Sequence, residues 1–222
     1  ARPAGADSEW RPGKFMTQAV ARVMASPRKV TEKTEFGLDD GSSCFIGGYV
    51  KEEGVLGSSI PLEEGRTYAF LGGGDDDVKD LDLYLMDADG NVVAKDTETD
   101  ASPVVVFKCK SAGKYRVQMK LVTDKTDASF CVYATLRDGG FDVPTSNLAS
   151  AYDKLIKFCT IIDDKTKGAS FLDEAGELCL VGTILKQGET LTQSGIDLGD
   201  GDRAFLACAD SRAQDIDLKV VS

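Results

Sequence analysis

Residues 65–91 read GRTYAFLGGGDDDVKDLDLYLMDADGN, and this stretch decides the fold. A strand-like run at 67–71 stops at three glycines, which predict a turn, and an acidic loop at 75–77 follows. Residues 80–85 then alternate strictly, with aspartate and tyrosine on one face and leucine on the other, which predicts a half-buried strand. The Asp-Gly pair at 89–90 predicts a β-hairpin, because glycine accepts a positive φ.

The flanking sequence supplies further strands and two helices. Helices are predicted at 15–25 and 146–163, where apolar residues recur at helical spacing. Gly47 and Gly48, inside the first strand, predict a bulge or a close approach of the backbone to a neighbour. Strands are predicted at 44–50, 58–62, 103–108, 114–121 and 129–136. Their shared period of two predicts a core that contains Phe70, Leu81, Leu83, Leu85, Phe107, Tyr115, Val117 and Met119.

The end of the chain repeats its start. A shift of 135 residues, without a gap, aligns Cys44 with Cys179, Gly47 with Gly182, residues 69–71 with 204–206, and residues 80–83 with 215–218. The match spans helix, polar link and strands, so it predicts a duplication. Residues 146–222 contain no counterpart of the strands that follow Asp87 in the first copy. Because half a sandwich exposes a sheet edge and an apolar face, we expect the second copy to pack against the first unit, its helix or another chain.

Residues 40–136 carry a family resemblance. Its motifs are a Gly-x-x-Tyr-x-Phe run, a glycine/aspartate loop, the run DLDLYLMDADG at 80–90, and the strands that begin at Asn91, Pro103 and Gly113. In this order they resemble the bacterial pre-peptidase C-terminal (PPC) domain. The resemblance implies a small jelly-roll-like β-sandwich of secreted bacterial proteins, some of which bind collagen or polysaccharide and some of which carry calcium.

The fold prediction is a mainly β chain with three segments. An N-terminal arm, with Trp10, and a helix occupy residues 1–35. A PPC-like, jelly-roll-like antiparallel β-sandwich occupies residues 36–140. A second helix and a truncated, partial second copy of the unit occupy residues 141–222.

Composition excludes several classes of function. The net charge of −11 argues against nucleic-acid partners and against anionic membranes. No apolar run approaches the roughly 20 residues of a membrane helix, so membrane insertion is not expected. Histidine is absent, which excludes Ser-His-Asp and Cys-His catalysis and most zinc sites. We therefore predict that the chain is not an enzyme, although a hydrolase that uses a carboxylate pair stays open.

Six cysteines permit disulfides or buried free thiols.

The acidic stretch and its tyrosine are the candidate site. Calcium binds six to eight oxygens, and Asp75, Asp77, Asp80 and Asp82 are the predicted ligands. Tyr84 leaves the strand on the same face as Asp80 and Asp82, so it could stack on a sugar or a peptide. The alternatives are a solvated acidic loop and ordinary packing of the tyrosine.

The sequence supports two functional hypotheses. The favoured one is a non-catalytic binding or accessory module that is secreted, periplasmic or in the cell envelope, with extracellular polysaccharide or protein as ligand. The alternative is a structural or assembly repeat of a cell-envelope protein. An aromatic-lined surface beside the aspartates would favour the first, and a large apolar contact between the units would favour the second.

Overall fold

The computed structural model describes residues 14–25, 35–40, 42–126, 128–166, 178–196 and 202–221, so the predicted N-terminal arm with Trp10 lies outside the described residues. The described residues form two helices and ten strands. The helices are α1 (Lys14–Ala25) and α2 (Thr145–Thr166). The strands are β1 (Phe36–Leu38), β2 (Ser43–Lys51), β3 (Val55–Leu62), β4 (Thr67–Gly74), β5 (Val78–Met86), β6 (Val92–Asp96), β7 (Val104–Lys108), β8 (Gly113–Asp124), β9 (Ala128–Asp138) and β10 (Leu180–Thr183).

The strands form two antiparallel sheets that face each other. The first sheet has the order β10-β2-β9-β4-β7, with β1 paired to the end of β9. The second sheet has the order β3-β8-β5-β6. Strand β9 is therefore at the centre of the first sheet, and β8 and β5 are the two inner strands of the second. This architecture confirms the predicted mainly β, antiparallel sandwich with a helix before it and a helix after it.

The core between the sheets is the one that the alternating pattern predicts. Leu81, Leu83 and Leu85 of β5 are completely buried, while Asp80 and Tyr84 on the other face of the strand are partly exposed. The other predicted core residues are also buried or packed at the margin of this cluster: Phe70, Phe107, Tyr115, Val117 and Met119. Burial of these apolar side chains is the main term that stabilises the sandwich.

Helix α1 lies on the outer face of the first sheet. Its buried residues are Met16, Ala19, Val20 and Val23, and they pack against Ala69, Leu71, Val132 and Ala134 of β4 and β9. Both faces of β4 and β9 are therefore covered, one by the second sheet and one by the helix. A strand covered on both faces needs apolar residues at successive positions, which is why residues 129–136 form an almost continuous buried run.

The three glycines at 72–74 do not form the predicted turn. They continue β4, and all three are buried. The reason is close packing: a Cβ atom on Gly73 would lie 2.6 Å from Val23 Cγ2 and 3.2 Å from the carbonyl oxygen of Ala19 in α1. Glycine at this position lets the helix approach the strand. The turn comes afterwards, at residues 75–77.

The glycines inside β2 mark a close approach and not a bulge. The register between β2 and β9 runs without interruption from Phe45 to Lys51. A Cβ atom on Gly47 would lie 2.3 Å from Val132 Cγ2 on β9. Of the two predicted explanations, the close approach is therefore the right one.

The hairpin between β5 and β6 has the predicted turn. The backbone N–H of Asp87 donates to the carbonyl oxygen of Asn91 at 2.9 Å, and Gly90 has a φ of 84°. The Asp87 carboxylate also accepts the N–H groups of Asp89 and Asn91. The side-chain amide of Asn91, which donates to Asp87 Oδ2 at 3.1 Å, together with these N–H groups holds the pKa of Asp87 below its usual value.

Only part of the second copy has the same secondary structure as the first. Helix α2 and strand β10 form at the positions equivalent to α1 and β2. The described residues equivalent to β3, β4 and β5 do not form strands. In the first unit β4 is paired with β7 and β9, and β5 with β6 and β8. Among the described residues of the second copy there are no equivalents of those four partner strands.

The cysteines are free thiols. All six lie in the described part of the chain, and none is in a disulfide. Burial raises the pKa of Cys44 to about 12, and it does the same for its equivalent, Cys179. Such thiols are unreactive at neutral pH. No helix in the described ranges is long and apolar enough to cross a bilayer.

Candidate functional site

The junction between the two copies is built by β2 and β10. These strands pair antiparallel, with Ile46 opposite Val181. The shift of 135 residues makes Val181 the equivalent of Ile46, so equivalent residues of the two copies face each other. The neighbouring pairs are reciprocal: Phe45 faces Gly182, the equivalent of Gly47, and Gly47 faces Leu180, the equivalent of Phe45. A two-fold axis between two identical units produces this pattern.

The helices meet on the same approximate axis. Thr17 Oγ1 and the hydroxyl of Tyr152 lie 3.0 Å apart, and these two residues are also separated by 135 positions. Leu148, Tyr152 and Ile156 of α2 pack against the apolar cluster that α1 forms with the first sheet. The predicted packing of the second copy against the first unit and its helix is therefore confirmed.

Charged residues close one end of the junction. Lys186, which follows β10, lies with its Nζ 3.3 Å from Asp40 Oδ2 of the first unit. Arg137 of β9 contacts the other oxygen of Asp40 and also Asp39, at 3.2 Å from its Nε. The Arg137 guanidinium, with Lys186, holds the pKa of Asp40 below its usual value. This pair of cations on one carboxylate links the two copies electrostatically.

Asp75, a predicted calcium ligand, lies inside the protein. It is 1% exposed, and its carboxylate accepts the N–H of Phe130 at 2.8 Å and the N–H of Asp77 at 3.0 Å. Its carbonyl oxygen accepts a hydrogen bond from Arg22 of α1 at 2.8 Å. Asp75 thus joins β9, the acidic loop and the helix. Burial raises its pKa to about 6, while the two N–H groups act in the opposite direction.

Of the other three predicted ligands, Asp77 contacts Asp75 through its backbone N–H. Asp80 and Asp82 are on the outer face of β5, as their spacing predicts, and Asp77 has its carboxylate 3.9 Å from Lys125 Nζ. In the described ranges no group of three or more carboxylate or thiol side chains is arranged to hold a metal ion. Calcium at these residues stays a prediction, which calorimetric titration of calcium into chelator-treated protein tests.

Tyr84 lies on the exposed face of the second sheet, between Lys95 and Gln118 of the adjacent strands. Its hydroxyl donates a hydrogen bond of 2.6 Å to Asp82 Oδ2. This bond raises the pKa of Tyr84 to about 12, because loss of the phenolic proton would place two negative charges together. A role in ligand binding stays a prediction, since this bond holds the hydroxyl to its own strand.

Substitution of Tyr84 by phenylalanine is expected to cost little stability. The bond to the Asp82 carboxylate is partly buried, and we expect its loss to cost about 1.5 kcal/mol, the lower end of the range for hydrogen bonds to charged groups. Urea unfolding of the Tyr84→Phe variant measures this cost. A loss of several kcal/mol would mean that the tyrosine is an essential part of the fold and not a surface group that a ligand could use.

The second copy exposes residues whose equivalents are buried in the first. The sequence predicts an exposed apolar face, and the structure identifies its members: Leu185, Phe205, Ile216, Leu218 and Val220. The residues on the approximate two-fold axis were not predicted. In the sequence these residues are marked only by their separation of 135 positions, which holds for Thr17 and Tyr152 and for Ile46 and Val181. Every equivalent pair of the repeat has this separation, so the sequence does not indicate which pairs are in contact.

Comparison with solved structures gives only distant likeness in the example that follows. No protein-family model matches the chain, and no curated protein is significantly similar to it. A crystal structure of Aeromonas hydrophila PliG, a periplasmic lysozyme inhibitor of g-type lysozyme, is similar over 46% of this chain and 91% of that one, with 11% sequence identity and a TM-score of 0.35. A likeness this distant carries no argument about what the chain binds.

Proposed function

We propose that the chain is a non-catalytic assembly module whose repeated units join through strand edges. The observation that carries this proposal is the reciprocal pairing of β2 with β10 about Ile46 and Val181. Two related units that meet through the same edge form an isologous contact. Such a contact extends the first sheet from one unit into the next, with main-chain hydrogen bonds across the boundary.

The apolar contact of α2 with the first unit supports the same conclusion. Leu148, Tyr152 and Ile156 of the second copy cover a cluster that belongs to the first. A contact that combines a shared sheet with a shared apolar layer is what an assembly repeat requires. This is the second of the two functions that the sequence suggests, and it is the one for which the contacts between the units argue.

The first function, binding of polysaccharide or of a separate protein, has less support. It rests on the PPC resemblance and on Tyr84, whose hydroxyl is engaged by Asp82. The extracytoplasmic location rests on the same resemblance. Six free cysteines give that location no support, because exported proteins commonly use their cysteines in disulfides.

Removal of residues 145–222 tests the proposal. The first unit keeps both sheets and α1, so we expect it to fold, and the loss of β10 leaves the β2 edge bare. We expect this unit to form a dimer in which β2 pairs with β2 of the partner around Ile46. Sedimentation equilibrium at about 100 μM, a concentration that populates a weak interface, measures the dimer.

A matched pair of variants locates the contact. Phe45→Lys in the shortened chain places a charge on the bare β2 edge and is expected to give a monomer. Val106→Lys places the same charge on β7, the opposite edge of the same sheet, and should leave the dimer intact. A folded but monomeric shortened chain, or a dimer that only the β7 variant disrupts, would refute assembly through β2.

A further inference from the structure

The acidic loop of the first unit holds two cationic side chains that belong to the chain itself. The Arg22 guanidinium donates to the carbonyl oxygen of Asp75 at 2.8 Å and to the carboxylate of Asp76 at 3.0 Å. The Lys125 ammonium donates to the carbonyl oxygen of Asp76 at 2.5 Å and lies 3.9 Å from the carboxylate of Asp77. One cation comes from α1 and the other from the link between β8 and β9, so the loop is neutralised from two sides.

The oxygens that a calcium ion would need at this loop are already used. Calcium binds carboxylate, carbonyl and water oxygens at about 2.3–2.6 Å. The carboxylate of Asp75 accepts two backbone N–H groups inside the protein, and the carbonyl oxygen of Asp77 accepts the backbone N–H of Lys125 at 3.0 Å. The carbonyl oxygens of the other two loop residues accept the hydrogen bonds from Arg22 and Lys125 described above. A calcium ion among these oxygens would lie beside a guanidinium and an ammonium group, and the like charges would repel.

The equivalent turn of the second copy also has a side-chain cation, supplied from a different position. Asp210 is the equivalent of Asp75, and Arg212 stands where the first unit has Asp77. The guanidinium of Arg212 contacts the Asp210 carboxylate at 2.8 Å and 2.9 Å. Both copies therefore place a positively charged side chain at this turn, although the residues that supply the charge are not equivalent.

We propose that Arg22 and Lys125 are the cations of the acidic loop, and that they occupy the position of the calcium ion that the PPC resemblance implies. In this arrangement the two side chains fasten the loop to α1 and to the link between β8 and β9 without a metal. The loop is not part of the contact between β2 and β10, so the inference does not depend on the assembly function.

The proposal predicts what happens when both side chains are removed. Their loss frees the carbonyl oxygens of Asp75 and Asp76 and the carboxylates of Asp76 and Asp77. With water molecules, these oxygens suit calcium at the weak end of protein sites, with a dissociation constant of about 1 mM. Both side chains reach the surface, where Arg22 is 27% and Lys125 is 54% exposed, so we expect the Arg22→Gln/Lys125→Gln variant to fold.

Thermal unfolding of the chelator-treated full chain, with and without about 10 mM calcium chloride, tests the proposal. Sodium chloride of equal ionic strength replaces calcium in the reference samples, because salt screens exposed charges. We expect calcium to change the melting temperature of the unsubstituted chain by less than about 1 °C. The Arg22→Gln/Lys125→Gln variant should gain about 3 °C or more, because calcium at about ten times its dissociation constant stabilises the folded state that binds it.

Arg66→Gln/Lys114→Gln is the matched control, because it removes the same two charges elsewhere. Arg66 precedes β4 and Lys114 lies at the start of β8, whereas the acidic loop follows β4 and Lys125 follows β8. Calcium should affect this variant no more than it affects the unsubstituted chain. Three results would overturn the proposal: a calcium-dependent rise in the unsubstituted chain, no rise in the Arg22→Gln/Lys125→Gln variant, or an equal rise in the control.

Discussion

A Gly73→Val variant is expected to lose about 3 kcal/mol of its free energy of unfolding, because valine at this position collides with helix α1. The first atom of the new side chain would already lie 2.6 Å from Val23 Cγ2 and 3.2 Å from the backbone nitrogen of Val23. The second contact is with helix backbone, which cannot move without displacing Met16, Ala19 and Val20 from their places on the sheet. Urea unfolding with linear extrapolation measures the loss.

Gly113→Val is the control for this substitution. Gly113 also lies in a strand, at the start of β8, but a Cβ atom there would meet nothing within 4 Å. Its backbone does not have a positive φ. We expect the stability of this variant to stay within about 0.5 kcal/mol of the unsubstituted chain. An equal loss in the free energy of unfolding for the two variants would show that α1 does not pack against β4.

The second copy has no glycine at the position equivalent to Gly73. Cys208 stands there, and Lys154 of α2 stands at the position equivalent to Ala19. In the first unit, Gly73 and Ala19 are small enough for the strand and the helix to pack closely. Their equivalents in the second copy, Cys208 and Lys154, have larger side chains. Lys154 instead reaches along the segment and donates to the carbonyl oxygen of Ala209 at 2.9 Å.

The alternation of apolar and polar residues along the strands correctly predicted which strand residues are buried. Leu81, Leu83 and Leu85 alternate with polar residues, because β5 is buried on one face only, and their burial is confirmed. The three glycines after residue 71 were wrongly interpreted as a turn. Glycine has no side chain whose polarity could indicate burial. Helix α1, which packs closely against Gly73, lies about fifty positions earlier in the sequence, so the local sequence does not indicate the contact.

The candidate site was predictable only where its contacts are local. The common face of Asp80 and Asp82 follows from their spacing, and the repeat follows from self-comparison of the sequence. The burial of Asp75 depends on Phe130, 55 residues away, so an acidic run could not indicate it. The reciprocal pairing of β2 with β10 is a contact between the two copies, and the sequence of one copy alone cannot predict it.

Asp75 is expected to make stability depend on pH in the direction opposite to that of most carboxylates. Burial raises its pKa to about 6 in the folded chain, against about 3.9 in an unfolded one. The folded state therefore holds this proton more tightly. The stabilisation is fully present below about pH 4 and is lost as the pH rises through 6, with a total of at most about 3 kcal/mol.

The Asp75→Asn variant isolates this contribution. Asparagine has the same shape, but its Nδ2 group would face a backbone N–H of Phe130 or Asp77, which leaves a buried donor without an acceptor. At pH 7 part of that cost is offset, because the variant buries no charge. The stability advantage of the unsubstituted chain should therefore be smallest near pH 7 and grow as the pH falls toward 4. Urea unfolding at a series of pH values measures this difference.

Asp210→Asn is the matched control, because Asp210 is the equivalent of Asp75 in the second copy. It accepts the N–H of Arg212 at 2.9 Å, two residues ahead, just as Asp75 accepts that of Asp77. The side chain of Arg212 holds the pKa of Asp210 below its usual value, so its contribution is present at neutral pH and is lost in acid. The difference curve for Asp210→Asn should consequently show no rise between pH 7 and pH 4. If the curve for Asp75→Asn is equally flat, burial does not control the titration of Asp75, and the N–H groups of Phe130 and Asp77 hold its carboxylate ionised in the folded chain.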